Sequence, residues 1–328
     1  MQIDCYGLRE HPFQMTPDAR LFYASRAHSR AYAHLLFGLA QQEGFVVVTG
    51  EVGAGKTTLI ERLCAELAPA GHAVARVMTT QVEADDLLRL VAVAFGADAG
   101  GSKAEILRAI VDRLWEGVSK RGVRHILIVD EAQALPVGAL EELRMLSNVT
   151  EGERALMQVV LMGQPQLRRT LARPDLDQLR QRILAAYHLG SLTREETHLY
   201  VRHRMTAVGW TGHPAWEDAA LDMVHRHTDG IPRRINRLCS RILLSGSLEH
   251  RSVLTVDLAE ATALELEQDL GEIVAAPELA PGQRATEEAI QELEDRVADL
   301  ERLTARRERT FRRIQDLLDA ATVERARR

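Results

Sequence analysis

The sequence predicts an α/β fold: a parallel sheet with helices on both faces, followed by an all-helical domain and a C-terminal coiled-coil helix. Three observations carry this. Short apolar runs alternate with helical patterns through the first half of the chain, which calls for parallel strands joined by crossover helices. The strand signal stops near residue 193, and four helical patterns follow. Near the C-terminus, apolar residues recur at spacings of three and four, the signature of a heptad seam.

Residues 1–43 open with a turn-rich stretch, "HPFQMTPDARLF", and continue as a helical pattern, "SRAHSRAYAHLLFGLAQQ", expected to pack on the α/β core. The α/β domain is predicted over 44–190, with strands at 45–49 (FVVVT), 73–78 (AVARVM), 125–129 (HILIV) and 157–162 (MQVVLM). A helical lid domain is predicted over 191–270, built from "TREETHLYVRHRMTAVG", "PAWEDAALDMVHRHTDG", "PRRINRLCSRILLSGSLEH" and "TVDLAEATALELEQDL". Gly and Pro separate these four patterns and mark helix ends. Residues 271–285 have the Pro, Gly and Ala content of a linker. Over 286–328, Ile290, Leu293, Val297, Leu300, Phe311, Ile314 and Leu318 form the seam, interrupted at Thr304 and Arg307.

Composition narrows the function. The chain of 328 residues is 46% hydrophobic and 27% charged, ordinary for a globular protein. Aromatics at 4% favour aliphatic helical packing over a stacking surface for single strands. A net charge of −6 gives no global drive toward DNA or anionic lipid. Cys5, Cys64 and Cys239 form no CxxC pair, so free thiols are expected, with Cys64 and Cys239 buried. The N-terminus lacks an apolar signal region, and no run approaches the roughly 20 apolar residues of a membrane span. The reading is cytoplasmic, with peripheral contact at the inner membrane left open.

The chemistry lies in a few motifs. Gly50 to Thr57, "GEVGAGKT", fits G-x-x-x-x-G-K-[ST] between an apolar strand and a helical pattern, the context that confirms a phosphate loop. Backbone N–H groups across Gly50, Glu51, Val52, Gly53, Ala54, Gly55, Lys56, Thr57 and Thr58 are expected to cradle phosphate oxygens at a helix N-terminus. Lys56 is expected to neutralise the β/γ phosphates of ATP, and Thr57 to bind Mg²⁺. "ILIVDEAQAL" ends a strand in two acids. Asp130 can hold Mg²⁺ through its water shell, and Glu131 can orient or deprotonate the attacking water. Gln164, after the strand at 157–162, is placed to reach the γ-phosphate or that water. Arg180, Arg182, Arg233 and Arg234 stand in two clusters, and a guanidinium can stabilise charge on the γ-phosphate from its own or a neighbouring subunit.

These motifs together resemble the AAA+ ATPases, and within them the ExeA/GspA-like secretion ATPases with relatives in pilus and exopolysaccharide systems. The likeness covers about residues 5–265 and rests also on "YGLREHPFQMTPDARLFYASRAH", "LMGQPQL", "LRQRI" and "GIPRRINRLCSRILL". It implies Lys56 and Thr57 as Walker A, Asp130 and Glu131 as Walker B, Gln164 as sensor 1 and Arg233 as sensor 2. Arg182, or else Arg180, resembles the finger that acts on a neighbour, and Tyr23 to His28 would lie near the adenine. The resemblance further implies rings or filaments with ATP at subunit boundaries. Secretion members of this kind continue through a membrane helix into a peptidoglycan-binding part, whereas a heptad helix is expected here.

Three functions follow as alternatives. The first is an ATPase assisting assembly of a secretion, pilus or exopolysaccharide export system, docking to a partner through the coiled coil. The second is an ATP-dependent, duplex-DNA-binding regulator of transposition, since TniB- and MuB-like regulators resemble the same core. The third is an oligomeric ATP-dependent scaffold. Acids dominate 287–301 and arginines dominate from Arg302 onward. That split suits antiparallel pairing of two such helices, or equally a basic tail for DNA or a membrane surface.

Overall fold

The computed structural model describes residues 6–15, 19–69, 71–78 and 83–274, without side chains for 121 and 270–274. The predicted coiled coil at 286–328 and most of the predicted linker lie outside the described residues. Met1–Gln268 form one compact unit, and a second begins at Asp269.

The elements run α1 (Arg26–Ala40), β1 (Phe45–Gly50), α2 (Lys56–Leu67), β2 (His72–Met78), α3 (Ala84–Phe95), α4 (Lys103–Arg121) and β3 (Arg124–Asp130). There follow α5 (Val137–Ser147), β4 (Thr150–Glu151), β5 (Arg154–Ala155), β6 (Met157–Gly163), α6 (Gln166–Leu171), α7 (Asp177–Arg180) and β7 (Ile183–Leu189). The remainder is α8 (Arg194–Ala207), β8 (Ala215–Trp216), α9 (Asp218–Thr228), α10 (Pro232–Leu248), β9 (Val253–Leu254) and α11 (Val256–Val274).

The main sheet is parallel with strand order β2-β3-β6-β1-β7. Period-two alternation decides which helices each strand meets. Phe45 and Val47 of β1, Leu127 and Val129 of β3, and Val159 and Leu161 of β6 join one apolar cluster with α3, α4 and α5. Their neighbours Val46, Val48, Ile126, Ile128, Val160 and Met162 join a second cluster with α1 and α2. Both faces are therefore covered, which is why these strands read as unbroken apolar runs.

β7 has no such run. It is an edge strand paired only with β1, and only Ala185 and Leu189 along it are buried. Its small and half-exposed residues conceal it in the sequence. Over the described residues from 194 to 274 the chain's regular elements are helices apart from β8 and β9, a two-residue parallel pairing. This region has its own core, built on Val201, Met205, Leu221, Ile235, Leu238 and Ile242. Tyr6 and Phe13 belong to that core as well, so the first described stretch packs on the helical region while α1 packs on the sheet. α8 starts with a capping box in which Thr193 and Glu196 satisfy each other's backbone N–H groups. Glu196 also accepts the Arg26 N–H at 2.8 Å, tying the starts of α1 and α8. α11 runs to Val274, past the predicted linker start at 271, with Gly271 inside the helix. Cys239 is buried and Cys64 half-buried, and both are free thiols. The sequence expected burial for both. No described helix is long and apolar enough to cross a membrane.

Candidate functional site

The carboxyl ends of β1, β3 and β6 lie side by side in the sheet, and the loops that leave them carry the predicted chemistry. β1 ends at Gly50, and the phosphate loop turns into α2 through Gly53 and Gly55 at φ +82° and +98°. These left-handed values suit glycine and place loop N–H groups at the start of α2. Lys56, the first residue of α2, is buried. Its Nζ donates to the carbonyls of Gly50 at 2.7 Å and Glu51 at 3.0 Å. Burial lowers the Lys56 pKa, and the nearby Glu131, Asp130 and Glu51 carboxylates oppose that shift.

Asp130 ends β3 and is buried. One of its oxygens takes a 3.1 Å ion pair from Arg76 of the neighbouring strand, and the other accepts the Glu131 N–H at 3.0 Å. Glu131 has φ +54°, an unusual conformation for a non-glycine residue. Its Oε2 accepts Gln133 Nε2 at 2.6 Å and Gln164 Nε2 at 3.2 Å. The two acids and Gln164 are thus brought together at the ends of β3 and β6.

A pocket of about 310 Å³ opens over the phosphate loop. Val52, Gly53, Gly55, Lys56, Thr57, Thr58 and Glu131 form its floor. Leu21, Phe22, Tyr23 and His28 line one wall, and Tyr200, Arg204, Arg233 and Asn236 another. Arg233 crosses directly onto the loop: its N–H donates to the Gly53 carbonyl at 3.2 Å. A β-carbon added at Gly53 would stand 2.3 Å from Arg233 Cβ. Arg234 does not line the pocket and pairs with Asp229 at 2.9 Å.

Arg180 and Arg182 are not brought into this pocket. Arg180 pairs with Asp177, and Arg182 Nη1 donates to the Ser147 carbonyl and hydroxyl at 3.3 Å each. Phe45 N–H bonds the Arg182 carbonyl at 2.9 Å, so Arg182 stands where β1 begins. The phosphate loop is at the other end of that strand, roughly 20 Å away.

Sequence reasoning missed several residues here. Arg204 donates to the carbonyls of Pro12 at 2.7 Å and Gln14 at 3.4 Å and to the Tyr200 hydroxyl at 2.7 Å. Tyr200 in turn donates to Asn236 Oδ1 at 2.8 Å. This chain of bonds joins the N-terminal segment, α8 and α10 around the pocket. Its one sequence signal is the polar pair Tyr200 and Arg204, one helical turn apart on a buried face. Arg76 and Gln133 were missed because each acts on an acid across strands or around a turn.

His28 is buried beside the loop, with Nδ1 2.8 Å from the Ser25 hydroxyl. Burial holds its pKa below the ordinary 6.5, a shift opposed by a hydrogen bond to the Ala54 backbone and by Glu196. His11 is lowered too, by burial and by Arg204. The unfolded chain therefore takes up protons first as pH falls below about 6.5, and stability drops with it. Melting temperature should fall between pH 7.5 and pH 5.5, with a smaller fall in His28→Asn. An equal fall in both proteins would show that His28 contributes nothing.

A family model described as an AAA domain matches residues 39–171. The chain is 39% identical over 247 residues to general secretion pathway protein A of Aeromonas hydrophila, covering 75% of this chain and 45% of that protein. It therefore spans less than half the length of that relative. The ORC2 protein of Aeropyrum pernix, in ADPNP-ADP complexes, superposes with a TM-score of 0.58 at 20% identity, covering 78% of this chain and 71% of that one. Cdc6p from Pyrobaculum aerophilum gives 0.58 at 16% identity, covering 81% and 74%. The Thermotoga maritima RuvB Holliday junction branch migration motor gives 0.52 at 18% identity, covering 75% and 73%. At these identities the solved structures establish the fold. The phosphate loop, the strand-end acids, the AAA domain match and the likeness to protein A over three quarters of the chain together make it similar to the ExeA/GspA-like group of the AAA+ ATPases.

Proposed function

We propose that the chain binds ATP with Mg²⁺, hydrolyses it at a boundary between copies, and uses the resulting change to drive assembly of a secretion, pilus or exopolysaccharide export system. The observation that carries the proposal is that Lys56, Glu131 and Arg233 line one pocket, although the three come from distant stretches of the chain. The loop N–H groups and Lys56 hold the phosphates, and Arg233 faces the γ-phosphate. Tyr23 to His28 form the side toward the adenine. Thr57 and Asp130 would hold the metal: both offer oxygen, which Mg²⁺ prefers. Among the described residues no cluster of three or more His, Cys, Asp or Glu could hold a metal unaided, which suits an ion bound largely by substrate phosphates and water. When bound, Mg²⁺ neutralises charge on the β- and γ-phosphate oxygens.

Glu131 takes a proton from the attacking water while Gln164 orients that water. The water oxygen bonds to the γ-phosphorus as the bond from that phosphorus to the bridging oxygen breaks, leaving ADP and inorganic phosphate. Arg182, or else Arg180, supplies a guanidinium to the neighbouring copy, because neither reaches the pocket of its own chain.

Mixing tests the boundary. Glu131→Gln has a dead pocket and intact arginines; Arg180→Ala/Arg182→Ala has the reverse. Each should release phosphate at least tenfold slower than the unaltered chain, and their equimolar mixture should recover a substantial fraction of its rate. A mixture no faster than the mean of its components would reject catalysis across a boundary. The export role rests on the likeness to general secretion pathway protein A. It fails if Glu131→Gln, expressed in place of the normal chain, leaves export undiminished.

A further inference from the structure

Glu131 leaves β3 with a left-handed backbone and is followed by a 3₁₀ turn at Ala132–Ala134. That turn carries Gln133 back toward the end of β6. Its Nε2 donates to Glu131 Oε2 at 2.6 Å, and its Oε1 accepts the Gln164 backbone N–H at 2.8 Å. The Gln164 side chain donates to the same Glu131 oxygen at 3.2 Å. Two amide donors thus converge on one carboxylate oxygen, and one side-chain amide bridges the ends of two adjacent strands. The end of β6 makes room for it: a β-carbon at Gly163 would stand 2.8 Å from Gln133 Oε1 and 3.2 Å from its backbone nitrogen.

We propose that Gln133 is a positioning residue that locks Glu131 and Gln164 into a single unit, so that contact of Gln164 with the γ-phosphate or the attacking water sets the aim of the Glu131 carboxylate. This inference rests on Glu131 being the base of the proposed hydrolysis. A base must sit within hydrogen-bond reach of the proton it removes, and misplacement by about 1 Å can cost on the order of 100-fold. Without Gln133, Glu131 loses the shorter of these two amide bonds, and the Gln164 N–H loses its acceptor.

The test uses the full chain with saturating ATP and Mg²⁺, reading kcat by phosphate release and Kd by nucleotide titration. Gln133→Met keeps length and removes both bonds. Gln133→Glu keeps an acceptor for the Gln164 N–H but sets a second carboxylate against Glu131. Both should lower kcat by about 10- to 100-fold with Kd for ATP changed less than threefold. Gln133→Glu should be at least as slow as Gln133→Met. A residue that merely supports the backbone of Gln164 would leave Gln133→Glu near the unaltered rate. Gly163→Ala is a second route, since its β-carbon displaces the amide, and the same loss of kcat is expected.

Because Gln133 acts through Glu131, Gln133→Met added to Glu131→Gln should slow the residual turnover by less than threefold. Normal kcat in Gln133→Met and Gln133→Glu beside a slow Glu131→Gln would overturn the inference alone. A normal Glu131→Gln would remove the reading beneath it.

Discussion

Glu131→Gln is expected to bind ATP at least as tightly as the unaltered chain and to hydrolyse it about 10²- to 10⁴-fold more slowly, the usual worth of a positioned base. The amide matches the carboxylate in size, so the loop, the 3₁₀ turn and the Gln133 contact can keep their places. What disappears is the proton acceptor. Glu131 is also the leading charge that raises the Lys56 pKa against burial. Removing that anion leaves a pocket more favourable to phosphate, which sets the sign expected for affinity. Lys56→Ala should show the opposite pattern, with affinity lost first, because it deletes a buried cation from the phosphate loop. Phosphate release and nucleotide titration on the two variants separate the roles. Turnover in Glu131→Gln within threefold of normal would mean that the base lies elsewhere.

What could be read from the sequence depended on how local each cause was. β1, β3 and β6 are buried on both faces, so their apolar runs stood out, and the parallel sheet followed from their alternation with helices. β7 touches only one neighbour strand and is partly solvated, so its residues carry too little apolar signal to mark a strand. The phosphate loop was legible because glycine spacing and a following lysine are set by the loop's own backbone. Gln133 lay in plain view in "DEAQ". Its contact with Gln164 depends on the left-handed turn at Glu131 and on the pairing of β3 beside β6, neither of which a short motif encodes. The Arg204, Tyr200 and Asn236 chain was hidden for a similar reason. It joins residues about 190 positions apart, and only tertiary packing brings them together.

Gly53→Ala is expected to damage both stability and nucleotide binding, and the damage should persist when Arg233 is shortened. Its left-handed φ of +82° alone costs an alanine about 1–2 kcal/mol. The added β-carbon would also stand 2.3 Å from Arg233 Cβ, an atom anchored to the start of α10. Relief requires the loop and the helix to part, which breaks the Arg233 N–H bond to the Gly53 carbonyl. Arg233→Ala retains that β-carbon and that backbone bond. By itself it should leave the melting temperature nearly unchanged and raise the Kd for ATP about tenfold, roughly 1.4 kcal/mol. The double variant should then melt as low as Gly53→Ala, because shortening Arg233 removes only the outer part of its side chain. Thermal melts on the three proteins decide the matter. If Arg233→Ala restores the melting temperature of Gly53→Ala, the guanidinium arm rather than the backbone of α10 presses on the loop. If it does not, the phosphate grip and the first turn of α10 move as one piece, which is how nucleotide bound to the loop would be felt in the helical region.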